Sequence, residues 1–200
     1  FTIEQYASDI RKTLNAAQVP KAVFAGCSMG GYVLFELWRQ DPSLFGSLIL
    51  IDTKAEADND DARAKRLEVI DQVQEHGTGS IPDVAASLLS EETQETRPNV
   101  EREVKAWAAE APCETVIRSL RMLMNRPDST ATLATIDVPT LILVGEHDKV
   151  TPLESAQTMN DGIKDSVMKV VPAAGHLSPV ENPEVVNREM TEFLADAVNA

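Results

Sequence analysis

The run Lys21-Ala22-Val23-Phe24-Ala25-Gly26-Cys27-Ser28-Met29-Gly30 constrains this chain more than any other stretch. An apolar segment of strand length leads into a serine with a glycine two positions away on either side. A helix pattern then runs over residues 30–40, until Asp41-Pro42 stops it. A strand that becomes a helix within so few residues must bend sharply at Ser28. Such a bend strains the backbone, and the flanking glycines remove side chains that would clash there. The hydroxyl then projects past the strand end, where the N-terminus of the next helix favours negative charge. The glycine–serine spacing has little specificity by itself; the strand–turn–helix setting is what an exposed nucleophile requires.

The rest of the chain repeats the alternation. Upstream, Thr2 is placed as an N-cap with Gln5 three residues on, and Phe1 is placed to staple onto Tyr6. Ile3, Tyr6, Ala7, Ile10, Leu14 and Ala17 follow at helical spacing, and Pro20 ends the element. Residues 48–52, 139–145 and 167–171 are apolar runs of strand length, the last diluted by Lys169. Thr151-Pro152-Leu153-Glu154 reads as a capped helix start, with Thr151 as the cap. Asn182-Pro183-Glu184 opens a final helix with Val186, Met190, Phe193 and Leu194 on one face. Strands alternating with helices predict an α/β protein with a parallel sheet of about four strands.

Residues 53–135 break the pattern. Strand runs vanish, and a helix is expected over residues 60–76 with Leu67, Ile70 and Val73 inward and Gly77 as C-cap. Val100, Val104, Trp107 and Ala108 mark another helix. Val116, Ile117, Leu120, Leu123 and Met124 mark a third after Pro112, and a short one is expected near residues 82–89. The expected organisation is a core of residues 1–52 and 136–200 with a helical insertion at 53–135.

With 200 residues, the chain can bury one sizeable core. Its net charge of −14 disfavours nucleic acid and anionic membrane surfaces as partners. Cys27 and Cys113 form no CxxC pair and are expected to be reduced thiols. No apolar run approaches membrane-spanning length and no signal peptide is visible, so a cytoplasmic location is expected. Three scattered histidines suggest no metal site. Residues 26–31 lack the lysine and spacing of a phosphate-binding loop, so no cofactor is expected.

A serine hydroxyl is a weak nucleophile until a base takes its proton. His176, in Ala174-Gly175-His176-Leu177-Ser178, follows the last strand and should lie at the carboxyl edge of the sheet, on the side of Ser28. His76 falls at a helix C-terminus, where it would complement the helix dipole, and His147 adjoins Asp148. His176 is the expected base. Asp148 is the favoured carboxylate to orient it, because its strand adjoins the one presenting His176; Asp52 and Glu146 are the rivals. The backbone N–H of Met29 is one expected oxyanion donor.

Gly26-Cys27-Ser28-Met29-Gly30-Gly31-Tyr32, residues 52–58, Gly145-Glu146-His147-Asp148 and residues 175–183 together resemble the bacterial α/β-hydrolase family. Within it, they are most similar to small carboxylesterases and β-ketoadipate enol-lactonases. The resemblance implies that Ser28 is acylated, that His176 acts as base and then acid, and that Asp148 orients it. It also implies that residues 53–135 form a cap over the pocket. The small-molecule substrate would be a carboxylic ester, or alternatively a small acidic enol-lactone. A lactone of that kind calls for cations under the cap, and Arg118, Arg121 and Arg126 are available, with Trp107 as a further contact; these arginines equally fit the solvated face of a cap helix.

Similar enzymes carry on the order of 60–70 residues of further strands before the helix that starts here near Thr2. The resemblance therefore implies the C-terminal part of the fold, with the strand at residues 22–26 left as an open edge. Such an edge is a template for a second copy or for a segment preceding Phe1. A weakly active or inert binding domain is the reading of another class, because the second oxyanion donor would come from the strands upstream.

Overall fold

The computed structural model describes residues 2–199. The first layer of structure is α1 (Ile3–Ala16), β1 (Ala22–Cys27), α2 (Met29–Gln40) and β2 (Phe45–Ile51). The insertion holds α3 (Asp60–His76), α4 (Ile81–Ala86), α5 (Glu91–Thr96), α6 (Pro98–Ala109), α7 (Cys113–Met124) and α8 (Thr130–Leu133). The chain then returns through β3 (Thr140–Gly145), α9 (Leu153–Gly162), β4 (Ser166–Val171), α10 (Ser178–Glu181) and α11 (Pro183–Asn199).

The four strands form one parallel sheet in the order β1-β2-β3-β4. Helices cover both faces, so the central strands β2 and β3 are apolar almost throughout rather than alternating. Period-two geometry still divides their side chains between two cores. Leu48, Leu50, Ile142 and Val144 face one side with Phe35, Trp38, Met159 and Ile163. Ile49, Ile51, Leu141 and Leu143 face the other with Val171 and Val186, against which Met190, Phe193 and Leu194 of α11 pack. The alternation of strands and helices is thus as the sequence predicts.

The register matters for the site. Cys27 pairs with Ile51, Ile51 with Leu143, and Gly145 with Val171. β1 and β2 therefore end level while β3 and β4 run two residues further, and Ser28, Asp52, the loop from Glu146 to Asp148 and the loop after Val171 all leave the sheet at its carboxyl edge.

Several expectations need correction. β1 is an edge strand with one face uncovered: Val23 is 42% exposed and Ala25 is exposed beside it, whereas Ala22 and Phe24 on the other face are half-buried. The first helix ends at Ala16, before Pro20, where Gln18 takes a left-handed conformation. Thr2 caps it by accepting from the Gln5 N–H at 3.2 Å, whereas the Phe1 staple lies outside the described residues. In α3, Ile70 and Val73 are buried but Leu67 is 49% exposed. Residues spaced by three drift around a helix, so Leu67 lies about 120° from Val73 and leaves the contact face. Asn59 caps that helix and Gly77 (φ 64°) ends it. The short helices α5, α8 and α10 have too few turns to register as an apolar period.

The burial contrast gives a stability prediction. Ile142→Ala, in a fully buried central strand, should lower unfolding free energy by about 2–5 kcal/mol, whereas Val23→Ala on the edge should cost less than about 1 kcal/mol. Urea unfolding of both variants checks the ranking, and equal losses would contradict it.

Candidate active site

Ser28 sits between β1 and α2 with φ 49° and ψ −112°, a strained conformation for a residue with a side chain. Its N–H is held by the Ile51 carbonyl at 2.9 Å, and its own carbonyl accepts from Gly31 N–H and from Thr53 Oγ1 at 2.8 Å. The bend is therefore bolted to the end of β2. A Cβ on Gly26 would lie 2.6 Å from the Gly30 carbonyl carbon, and one on Gly31 would run into Thr53; one on Gly30 would meet nothing within 4 Å. The sterically required pair is thus Gly26 and Gly31, a correction to the expectation that both glycines flanking Ser28 relieve a clash. Met29 opens α2, so its N–H has no carbonyl one turn back to receive it.

Three of the expected residues come together. Ser28 Oγ lies 2.8 Å from His176 Nε2, and His176 Nδ1 lies 2.9 Å from Asp148 Oδ2. An ionised carboxylate only accepts, so Nδ1 carries the proton and Nε2 is left to accept from the Ser28 hydroxyl. His176 and Asp148 are buried, while Ser28 is half-buried.

Asp148 is anchored on every side. Oδ1 accepts from the N–H groups of Val150 and Thr151 at 2.8 and 2.9 Å, and Oδ2 accepts from Thr151 Oγ1 at 2.6 Å. Burial alone would raise its carboxyl, but the hydrogen bond and charge of His176 together with the Thr151 bonds outweigh it and hold the group below the usual range. Thr151 is the residue sequence reasoning misassigned. Its hydroxyl turns to Asp148 and comes within 3.3 Å of His176 Nδ1, and Pro152 takes the N-cap position of α9. A threonine three residues after an aspartate in a strand-end loop is the signal that would have found it.

The rivals are accounted for. Asp52 is fully buried with φ 45°, and its carboxylate accepts from Gly145 N–H at 2.9 Å and Ser178 N–H at 2.8 Å rather than from the imidazole. Burial pushes its carboxyl up to about 6, with the Asp148 charge adding to the rise and the Ser178 and Gly145 bonds opposing it. Glu146 receives the Ala173 N–H at 3.1 Å. His147 is exposed beside Glu146, and His76 ends α3 with Nδ1 near the Gln72 carbonyl. Burial, with the charges of Asp52 and Asp148, pushes the Cys27 thiol up to about 12, so it is no competing nucleophile.

The three expected arginines border one cavity whose lining includes neither Ser28 nor His176, and Trp107 is not part of it. Trp107 is 53% exposed on α6. Arg118 pairs with Glu114 and, with Arg121, lines a cavity of about 480 Å³ that also touches Thr2, Ile3 and Glu4. Arg126 borders the same cavity but is buried: its guanidinium binds Asp58 at 2.6 Å and the Glu56 carbonyl at 2.8 Å, and lies over the Tyr32 ring at 4.2 Å. It is a strut between the insertion and α2. Among the described residues, no group of three or more His, Cys, Asp or Glu side chains is arranged to hold a metal ion, and no helix is long and apolar enough to cross a membrane.

The sequence pattern of the alpha/beta hydrolase family matches residues 1–189. The chain belongs to that family. The hydrolase is 27% identical over 187 residues to 3-oxoadipate enol-lactonase 1 of Acinetobacter baylyi, an alignment covering 92% of this chain and 67% of that protein. Among solved structures it is similar to a thermophilic esterase from Thermogutta terrifontis, described with malate bound, at 35% identity and a TM-score of 0.91; the match covers 98% of this chain and 73% of the esterase. A hydrolase from Pseudomonas aeruginosa PA01 matches at 25% identity and a TM-score of 0.87, over 97% of this chain and 72% of that one.

The Asp52 carboxyl makes the stability of this hydrolase depend on pH in a stated direction. Its native value near 6 exceeds the ordinary 3.8, so the native state keeps the proton where the unfolded chain has lost it. Stability from this group is therefore present at low pH and declines as pH rises from about 4 through about 6. Relative to Asp52→Asn, the wild type should gain unfolding free energy as pH falls from about 7 to about 4. A difference independent of pH would contradict the assignment.

Proposed function

We propose that this hydrolase cleaves small carboxylic esters through an acyl-enzyme on Ser28, with His176 as general base and acid and Asp148 as its orienting carboxylate. The observation that carries the reading is the continuous chain of 2.8 and 2.9 Å contacts from Ser28 Oγ through the imidazole to Asp148. His176 Nε2 takes the hydroxyl proton as Ser28 Oγ attacks the ester carbonyl. The oxyanion that forms faces the Met29 N–H at the start of α2, where the helix dipole favours it. His176 then hands its proton to the leaving alkoxide. In the second half, a water loses a proton to His176, attacks the acyl carbonyl and releases the acid and the free serine. Asp148 remains ionised throughout, in keeping with its lowered carboxyl.

The insertion at residues 53–135 serves in this reading as the cap of the pocket, and the two free thiols fit a cytoplasmic setting. A second substrate class is a small acidic enol-lactone. It is supported by the Acinetobacter baylyi enol-lactonase; the cavity beside Arg118 and Arg121 is lined by neither Ser28 nor His176 and adds no support.

Turnover of a neutral short-chain aryl ester tests the proposal. Ser28→Ala and His176→Ala should each lower kcat by on the order of 10³-fold or more while leaving the chain folded. Retained turnover in either variant contradicts the assignment. A higher kcat/KM on an acidic enol-lactone, reduced by Arg121→Ala, would move the substrate class to lactones.

A further inference from the structure

His176 lies in a segment that belongs to no strand, and yet the four consecutive backbone amides from Gly175 to Ser178 are captured. Gly175 N–H donates to Glu181 Oε1 at 2.9 Å, His176 N–H to the Leu88 carbonyl at 2.9 Å, Leu177 N–H to Glu181 Oε1 at 3.1 Å, and Ser178 N–H to Asp52 Oδ2 at 2.8 Å. Both carboxylates are fully buried. Each spends its second oxygen on a different part of the fold. Asp52 Oδ1 takes Gly145 N–H at the end of β3, three residues before Asp148, and Glu181 Oε2 takes Ser90 N–H from the insertion at 2.8 Å.

A carboxylate is suited to this because it only accepts and has two oxygens, so one side chain can clamp two backbone segments by charge-assisted bonds. The approach is close: a Cβ on Gly175 would lie 2.6 Å from the Ser90 nitrogen and 2.9 Å from the Leu88 oxygen. Ser90 Oγ adds a bond to the Ala173 carbonyl at 3.3 Å, and Arg97 binds the Glu181 carbonyl. The base is thus tied at once to the strand end that carries its acid and to the insertion above it.

We propose that Asp52 and Glu181 are positioning residues for His176, holding the backbone of residues 175–178 so that Nε2 stays on the Ser28 hydroxyl, with Glu181 coupling that loop to residues 88–90 of the insertion. This rests on the reading of His176 as the base for Ser28. Neither carboxylate bonds to Ser28 or to the imidazole, so both act through the loop. Displacements near 1 Å at a reacting group can cost on the order of 10²-fold in rate, which gives the clamp a kinetic readout.

The test compares Glu181→Gln, Glu181→Ala and Asp52→Asn with the wild type on the aryl ester. Each isostere presents an amide NH₂ to one of the backbone N–H groups, so one of the two clamped segments is released. Expected for both isosteres is a fall in kcat of about tenfold or more with KM within about twofold, and a larger fall for Glu181→Ala. Val186→Ala, on the buried face of α11, should lower the melting temperature and leave kcat unchanged, which separates positioning from stability. Wild-type kcat in folded Glu181→Gln and Asp52→Asn overturns the inference alone, whereas a wild type without Ser28-dependent turnover overturns the reading beneath it as well. Amide hydrogen exchange on the wild-type chain reads the clamp without any substitution. The Gly175, Leu177 and Ser178 amides should exchange about 100-fold or more slower than unstructured chain, and exchange at the unstructured rate overturns the proposal.

Discussion

The position of His176 depends on hydrogen bonds to its backbone, because the loop that carries it lies between β4 and a four-residue helix and has no ladder of its own. Everything else at the carboxyl edge is arranged around that requirement. The parallel register brings the ends Cys27, Ile51, Gly145 and Val171 to the same edge of the sheet, the last two a pair of residues beyond the first two, and the residues that follow them reach the imidazole or its loop from three directions. Ser28 meets Nε2, Asp148 meets Nδ1, and Asp52 holds the amide of Ser178.

Asp52 and Asp148 leave neighbouring strands and are both buried, yet their ionisation is pushed in opposite directions. Asp148 has an imidazole and a threonine hydroxyl to offset its burial, whereas Asp52 has only Ser178 and the Gly145 amide, with no cationic neighbour among its principal influences. The difference suits the roles proposed for them. A carboxylate that must stabilise an imidazolium has to stay charged, while one that holds a loop in place need only present its oxygens. Burial, reinforced by the same acidic edge, keeps the Cys27 thiol protonated one residue before Ser28.

Much of this was legible in the sequence where a local pattern had a single physical solution. The apolar runs at β2 and β3, the turn at Ser28 and the glycine-capped helix α3 follow from periodicity and capping. Ser28, His176 and Asp148 could be named because each follows a strand and so must leave the sheet at one edge. What escaped were groups whose partners lie far away along the chain. Thr151 looks like a helix cap until Asp148 competes for its hydroxyl. Glu181 shows no pattern at all, since its partners at residues 90, 175 and 177 are backbone amides with no side-chain signature. Trp107 and Leu67 fit an apolar helical period but are exposed, because periodicity marks a stripe without saying how wide a stripe the neighbouring elements cover.

In the proposed mechanism the hydroxyl of Ser28 is activated by His176. Reaction with a fluorophosphonate, followed by intact mass and peptide mapping, tests it directly, since such a probe phosphonylates a serine whose proton is being drawn off by a neighbouring base. One adduct per chain is expected on Ser28 in the wild type and none in Ser28→Ala. An unmodified wild type, or equal modification of Ser28→Ala, would contradict it.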